Sequence, residues 1–434
     1  MINFKKIYPI FDEDWLEKNK AFLNISCETY NKIKELNKFI ESKDWESKRV
    51  KNDAELIEKI NKLELISEYT TISVVYIVKN ERDYIIKSLL SILDLAHEII
   101  IVDTGSEDNT LDLIKKMCDK KIKIFTFNWC DDFSKARNFA NAKATCDWIM
   151  ILDADEIVRK NDNLKFYLTY LRIFDDFENT AFNFKVIRDE EVYKTSKLIR
   201  NTNTLTLTYK ARVHETFFSL NNSVSYANLN VEVLGIRRGS QKKTNYYNEL
   251  LLKTIIEFPK EGRWYYLYLR DNIEDMNYNQ MLKFCKKIIF KRDAISGIEI
   301  NNNYYSVRII FLLMFKLLEE SNHEGFTYYM ELLEKDFNHT QDFIFLKYSY
   351  YIKKLNIDAT NLLKSFLENY DLLDEGDVIF SKECTHSLLG AYLFWGGYLK
   401  ESKKVFEELE INGKDTVCFY NKKFIYDCLS ISSK

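Results

Sequence analysis

The chain of 434 residues is poor in the residues that break regular structure: Pro9 and Pro259 are its only prolines, and glycines number 11. So few breakers exclude a loop-rich or collagen-like protein and predict much helix. The eight cysteines, at positions 27, 118, 130, 146, 285, 384, 418 and 428, include no Cys-x-x-Cys pair. That removes a zinc knuckle and a thioredoxin-type redox site, and leaves free thiols in a reducing compartment. Charge of one sign is also lacking. A net charge of −3 gives no general attraction for nucleic acid or an anionic membrane. Long apolar runs are missing too. The greasiest stretch, Ile309 to Phe315, is fenced by Arg308 and Lys316 and is too short to span a bilayer. Met1-Ile2-Asn3-Phe4-Lys5-Lys6 has no apolar signal-peptide core. A cytoplasmic protein without a membrane span and without a nucleic-acid partner is expected.

What is present is the composition of a folded protein, 46% hydrophobic and 30% charged, long enough for two or three structural units. Residues 1–70 read as a polar helical extension, with Leu56, Ile57, Ile60, Leu63 and Ile66 at helical spacing. The period changes at Ile72. Strands are predicted at Ile72 to Val78, Glu98 to Val102, Lys123 to Phe127 and Trp148 to Leu152. Helices fall between them, from Asn80 through Ile92, from Thr110 through Met117 and from Phe133 to Ala144. Strand and helix alternating at this spacing are the mark of βαβ units and a parallel sheet. From 180 to 240 the pattern turns irregular, with strands at Ala181 to Ile187 and Thr204 to Val213. An α/β domain is therefore expected over 71–243 and a helical domain over 244–434. In the latter, Trp264 to Tyr268 followed by Leu282 to Phe284, and Leu388 to Tyr392 followed by Val405-Phe406, resemble tetratricopeptide-like hairpins.

The chemistry concentrates at Ile149-Met150-Ile151-Leu152-Asp153-Ala154-Asp155-Glu156. Four apolar residues predict a buried strand that delivers carboxylates to its C-terminal tip, where open parallel sheets bind ligands. Two carboxylates one residue apart suit a hard divalent cation bridging a diphosphate. Polar strand ends recur at Asn80-Glu81 and Asp103-Thr104. Any one of them alone is often a helix cap; three on one rim point to a nucleotide-sugar site.

These motifs resemble the inverting family 2 glycosyltransferases over about residues 71–220. The resemblance rests on Ile77-Val78-Lys79-Asn80-Glu81, Val102-Asp103-Thr104-Gly105-Ser106-Glu107-Asp108-Asn109-Thr110, Asp132-Phe133-Ser134-Lys135-Ala136-Arg137-Asn138, Asp147-Trp148-Ile149 and Leu152-Asp153-Ala154-Asp155-Glu156. It implies an α/β GT-A fold, Rossmann-like, carrying a UDP-sugar donor and Mg²⁺ or Mn²⁺. Val78, Asn80, Glu81, Asp103 and Thr104 would then line the uridine pocket, with Thr104 standing where many family members have a second carboxylate. Asp153 would face the ribose or the metal shell, Asp155 would bind the metal, and Arg137 would neutralise diphosphate or merely pair with Asp103. Val213-His214-Glu215 resembles a subgroup signature. With the helical extension and the tetratricopeptide-like tail, it resembles the sublancin-type peptide S-glycosyltransferases, which glycosylate bacteriocin precursors (glycocins). That implies transfer of a hexose from UDP-hexose, with UDP-glucose expected, to Cys or Ser of a Cys-rich precursor peptide.

On the acceptor side, His214 is either a ligand completing the metal shell or an ordinary structural histidine. Glu215 is the candidate base. Asp189, Glu190 and Glu191 compete for that role, but a solvated turn is the simpler account of them. Arg200 matches an arginine expected to contact diphosphate or acceptor, and Arg237-Arg238 with Lys242-Lys243 form a basic cluster best read as a solvated face. The helical tail would hold a peptide or pair two subunits as a homodimer. Two other functions stay open: a glycosyltransferase of a cell-surface glycan, and an inactive scaffold, against which Asp153 and Asp155 argue.

Overall fold

The computed structural model describes residues 13–40, 53–66, 69–174, 178–189, 191–202, 206–219, 223–236, 241–293, 297–300, 303–353, 359–370, 382–395 and 398–411. The chain forms two compact units, Met1–Leu250 and Leu251–Lys434. Glu190, Thr204, Arg237-Arg238, Cys418 and Cys428 lie outside the described residues. The six described cysteines are all free thiols, as their spacing predicted.

The first unit begins with four helices, α1 (Glu13–Asn19), α2 (Cys27–Lys34), α3 (Leu36–Phe39) and α4 (Asp53–Glu64). The apolar face foreseen on α4 is real: Leu56, Ile60 and Leu63 are buried. With Trp15, Tyr30 and Ile33 they join one core that also holds strand residues such as Val74 and Met150. The extension is thus part of the α/β core of this unit. Phe39 stacks on Tyr167 with ring centroids 4.4 Å apart.

The alternating region follows as β1 (Ile72–Val78), α5 (Ile85–Ile92), β2 (Glu98–Asp103), α6 (Thr110–Lys116), β3 (Ile122–Thr126), α7 (Phe133–Asn141) and β4 (Trp148–Leu152). The predicted strands and helices are all present, within three residues of their expected ends except at α5, where Asn80 starts a turn instead. Every residue of β2 and β4 is buried, as expected of strands covered on both faces and read as near-continuous β-branched runs. Then come β5 (Glu156–Val158), α8 (Leu164–Phe174), β6 (Thr180–Arg188), β7 (Glu191–Arg200), β8 (Thr208–Lys210), β9 (Thr216–Phe218), β10 (Ser225–Gly235) and α9 (Gln241–Glu257). The eight-stranded sheet has the order β3-β2-β1-β4-β7-β6-β10-β5. β3, β2, β1 and β4 are parallel, whereas β7 is antiparallel to both β4 and β6. The expected strand over Thr204 to Val213 shrinks to β8, paired with β9 as a small separate ribbon.

The second unit is a row of helices: α10 (Gly262–Asp271), α11 (Tyr278–Ile289), α12 (Tyr304–Glu319), α13 (His323–Phe337), α14 (Gln341–Lys353), α15 (Ala359–Tyr370), α16 (Lys382–Trp395) and α17 (Leu399–Ile411), with the hairpin β11 (Phe290–Asp293) and β12 (Gly297–Ile300) between α11 and α12. Each even-numbered helix packs on the next, α10 on α12, α12 on α14 and α14 on α16, while α11, α13, α15 and α17 pack against the same row. This two-layered stacking is that of a helical-repeat array. The Ile309 to Phe315 run is buried in α12 as the centre of this unit. Among the described residues no helix is long and apolar enough to cross a membrane.

Candidate active site

The parallel strands bring three polar ends to one rim. The register pairs Val78 with Asp103 across β1 and β2, and Tyr76 with Leu152 across β1 and β4. Each chain therefore leaves the sheet at the same level. Val78, Asn80 and Glu81 follow β1, Asp103 and Thr104 end β2, and Asp153 and Asp155 follow β4.

The first two ends are tied to each other. Asp103 accepts the N–H groups of Gly105 and Ser106, each at 3.1 Å, in a turn where Gly105 takes φ 102°, a conformation disfavoured for residues with a side chain. The Val78 carbonyl accepts both the N–H of Thr104 at 2.9 Å and its hydroxyl at 3.1 Å. The Thr104 hydroxyl thus donates to the main chain. Asn80, left-handed at φ 57°, accepts the Glu107 N–H at 2.8 Å and donates its own N–H to Ser106 Oγ at 3.0 Å. The Glu81 N–H donates to Thr110 Oγ1 at 2.7 Å.

The third end closes on itself. The Glu156 N–H donates to the Asp153 carbonyl at 3.0 Å, and the Asp153 N–H donates to Glu156 Oε2 at 3.0 Å. Ala154 is buried in this turn and Asp155 is half-buried. The Asp155 carbonyl accepts the N–H of Ile236 at 3.3 Å, which ties the turn to the end of β10.

Asp153 belongs to a run of six charged residues that alternate in sign. Glu215 accepts from Arg137 Nε. Arg137 Nη2 lies 3.0 Å from Asp153 Oδ1, and Lys197 Nζ lies 3.4 Å from Asp153 Oδ2 and 2.7 Å from Glu156 Oε2. Arg188 Nη2 follows at 3.5 Å from Glu156 Oε1. Burial pushes the Asp153 carboxyl up, but the Lys197 ammonium and the Arg137 guanidinium outweigh it and hold it well below the usual carboxylate range. Burial alone would lower Arg137, and the Glu215 and Asp153 carboxylates reverse that. Burial raises Glu156 above its ordinary value despite Lys197. The alternative partner considered for Arg137, Asp103, is not the one it takes.

Helix α7 explains how residues far apart in sequence meet here. Asp132 caps it by accepting the N–H of Lys135 at 3.1 Å. Asn138 clamps β8 in both directions, donating to the Tyr209 carbonyl at 2.9 Å and accepting its N–H at 2.7 Å. The Phe133 N–H donates to the Arg212 carbonyl at 2.9 Å. The loop carrying His214 and Glu215 is thereby fastened along α7 beside Arg137. Ala211 and His214 in this loop take φ 82° and 51°, a local strain of the kind functional sites store. His214 sits in this loop, after strand β8, consistent with its expected place following a strand. Among the described residues no three His, Cys, Asp or Glu side chains form a group that could hold a metal ion, so His214, Asp153 and Asp155 are not gathered as ligands of one ion.

Arg200 is not brought to the rim. It pairs with Trp148 in the antiparallel β4–β7 ladder, four residues and about 13 Å from the tip of β4. Its Nη1 donates to the Asp147 carbonyl at 2.7 Å and its guanidinium covers the Trp148 ring at 5.4 Å. The expectation that it contacts diphosphate or acceptor fails because β7 runs opposite to β4. Asp189 and Glu191 are exposed at the β6–β7 hairpin, the solvated turn anticipated for them.

Several residues near the rim had no sequence signal. Tyr246 Oη donates to Asp131 Oδ1 at 2.7 Å and accepts from Trp129 Nε1 at 2.8 Å. The Tyr247 ring meets Phe133 and His214 edge-on, at 5.9 and 6.4 Å. Burial, with the Glu215 and Asp153 carboxylates nearby, pushes its hydroxyl up. Lys197 is the deepest of these additions.

Comparison with known proteins agrees with this architecture. Residues 73–172, from β1 to α8, match the model of glycosyl transferase family 2. That segment resembles a family 2 glycosyltransferase domain, and the sheet around it has the GT-A arrangement. The chain is 26% identical over 325 residues to the SPbeta prophage-derived glycosyltransferase SunS of Bacillus subtilis, covering 71% of this chain and 73% of that one. A TPR repeat-containing protein of Synechococcus elongatus is 42% identical over 85 residues, 20% of each chain. The crystal structure of S. aureus TarS 1–349 in complex with UDP-GlcNAc covers 64% of this chain and 87% of that one at 13% identity and a TM-score of 0.34, a likeness too slight to carry weight. The protein is a glycosyltransferase.

Proposed function

We propose that this glycosyltransferase moves a hexose, glucose in our reading, from a UDP-sugar to a Cys or Ser side chain of a bacteriocin-precursor peptide in the cytoplasm, with inversion at the anomeric carbon and with bound Mg²⁺ or Mn²⁺. The observation that carries the donor reading is Asp153, kept ionised between Arg137 and Lys197 at the tips of the parallel strands and followed by half-buried Asp155. Carboxylates beside a planar guanidinium suit a diphosphate with its cation.

The donor set fits such an ion in a particular way. Both Asp153 oxygens already face cationic side chains, so Asp155 is the carboxylate that would hold the metal. One or two protein carboxylates would suffice to hold a Mg²⁺ that also binds the diphosphate. A protein-built cage is not required. When bound, the ion stabilises the charge that develops on the departing diphosphate.

The rest is the work of the chain itself. Arg137, paired with Glu215 and Asp153, would face the donor phosphates. Glu215, oriented by that guanidinium, takes the proton of the acceptor. A thiol ionises more readily than a hydroxyl, so a Cys acceptor asks little of this base. Val78, Asn80, Glu81, Asp103 and Thr104 form the wall for the nucleoside.

The peptide acceptor is supported by the SunS likeness. It extends over 325 residues, well beyond the family 2 segment 73–172. The test is incubation with Mn²⁺, a panel of UDP-sugars and a small Cys-rich precursor peptide, followed by mass spectrometry. One hexose mass on a single Cys or Ser is expected. Transfer to a glycan acceptor and never to peptide sinks the peptide reading, and release of UDP from none of the sugars sinks the donor reading.

A further inference from the structure

On the footing of the donor site proposed above, we infer that Lys197 is a positioning residue that sets the Asp153-Ala154-Asp155 turn, placed there by a β-bulge in β7. The bulge is visible in the register. Ala181 pairs with Ile199 and Phe182 with Leu198, but Asn183 pairs with Ser196. Lys197 is the extra residue, without a counterpart on β6. A bulge turns its extra side chain out of the regular alternation, and bulges are enriched beside active sites for that reason. Here Lys197 and its neighbours Leu198 and Ile199 are all buried, and Lys197 keeps only 4% of its side chain exposed.

Its ammonium has two partners, and both control Asp153. One is the Asp153 carboxylate, at 3.4 Å. The other is Glu156 Oε2, at 2.7 Å, the same oxygen that accepts the Asp153 main-chain N–H. Lys197 thus holds Asp153 directly and, through the nearly inaccessible Glu156, by its backbone. Asp155 occupies the same turn, so its carboxylate moves with it. A charge this deeply buried is tolerated only with partners. The two carboxylates supply them, while Arg137 occupies the other oxygen of Asp153. Lys197 touches no reacting atom in this arrangement and acts through the turn.

The test uses the full chain and the variants Lys197→Met, Lys197→Arg and Lys197→Met/Glu156→Gln, the last removing the carboxylate that the first variant strands. Lys197→Met should lower kcat by about 100-fold, the cost of displacing reacting groups by roughly an ångström, with KM for the acceptor unchanged. Mn²⁺ binding in the presence of UDP, read by electron paramagnetic resonance without turnover, should weaken by about 10- to 100-fold, as loss of a residue supporting a metal ligand does. Lys197→Arg should restore most of both. The double variant should regain thermal stability without regaining Mn²⁺ affinity or kcat. Wild-type affinity and kcat in Lys197→Met overturn the inference. So does a double variant that recovers activity along with stability, because Lys197 would then serve folding alone; this arm decides even where Lys197→Met fails to fold. A wild-type protein that releases no UDP from any UDP-sugar removes the donor reading and this inference with it, whereas wild-type turnover with an indifferent Lys197 removes only the latter.

Discussion

Strand β4 carries an aspartate at each end, and the two have opposite surroundings. Asp147, before the strand, accepts from the Thr71 N–H at 2.9 Å and from the Thr70 and Thr71 hydroxyls at 3.0 Å each, with Arg172 at 3.0 Å. Asp153, after it, faces Arg137 and Lys197, brought from α7 and β7. At the first end the neutral donors of Thr70 and Thr71 join Arg172 and Arg200 in saturating the charge. At the second, distant cations hold it ionised while the turn that follows stays partly open. The N-terminal end ties the sheet together, and the C-terminal end is where an open sheet keeps chemistry available.

The sharpest way to break this contrast is to remove a carboxylate from the C-terminal end. Asp155→Ala should reduce Mn²⁺-dependent release of UDP from a UDP-sugar by about 10³-fold or more, the scale of several kcal/mol of metal-assisted charge stabilisation. The thermal midpoint should move little, because Asp155 is half-buried in a turn closed mainly by Asp153 and Glu156. Unchanged turnover would remove the metal assignment and leave the two ends of β4 equivalent.

Next in size is Glu215→Gln. The amide can still accept from Arg137 Nε, so the loop should stay fastened while the base is lost. Transfer to peptide should fall by about 10²-fold, with KM for the UDP-sugar close to wild type. Equal losses in transfer and donor affinity would make Glu215 a binding residue and shift the base elsewhere on the rim.

The opposite outcome belongs to Asp147→Ala. It should cost about 2–3 kcal/mol of stability, because a threonine pair, a main-chain N–H and Arg172 lose their common acceptor, while turnover per folded molecule stays within a few-fold of wild type. Urea unfolding alongside a UDP-release assay measures both. A large drop in kcat at full folding would mean that the N-terminal end is also part of the machinery.

This contrast explains which parts of the protein could be read from sequence. β1, β2 and β4 were visible because continuous β-branched runs end in polar residues, and a parallel sheet turns that order into one rim. Arg137 and Glu215 were visible as motif members, yet their contact joins residues 78 apart through clamps made by Asn138 and Phe133. Arg200 was misread because nearness in sequence to Val213-His214-Glu215 says nothing about strand direction, and an antiparallel β7 carries it to the Asp147 end. Lys197 was invisible because its inward aim comes from a bulge, a mismatch between two strands that neither strand shows alone. β10 was missed for a related reason. Its alternation of Asn and Glu with Ala, Leu and Val becomes a strand only by pairing in parallel with β6 across an irregularity of its own.

The response to acid is the most direct measure of what the N-terminal strand ends contribute. Glu98, which opens β2, resembles Asp147. Burial pushes its carboxyl up, but Lys123, the Ser73 hydroxyl and the Thr145 N–H and hydroxyl outweigh that and bring it down to about 2. Asp147 likewise reaches about 2, with burial outweighed by the Thr71 N–H, the Thr70 and Thr71 hydroxyls and Arg172. A carboxyl lowered on folding adds stability that is complete above its unfolded value near 4 and disappears as pH falls through its folded value near 2. Each group should thus contribute about 1–2 kcal/mol at neutral pH, allowing for solvent screening around the partly open Asp147. Urea midpoints should fall between pH 4 and pH 2, and the fall should be shallower in Glu98→Gln/Asp147→Asn by the sum of the two. An equally steep fall in that double variant would show that acid sensitivity arises in the charged rim around Asp153 instead, and would reverse the division of labour between the two ends of the sheet.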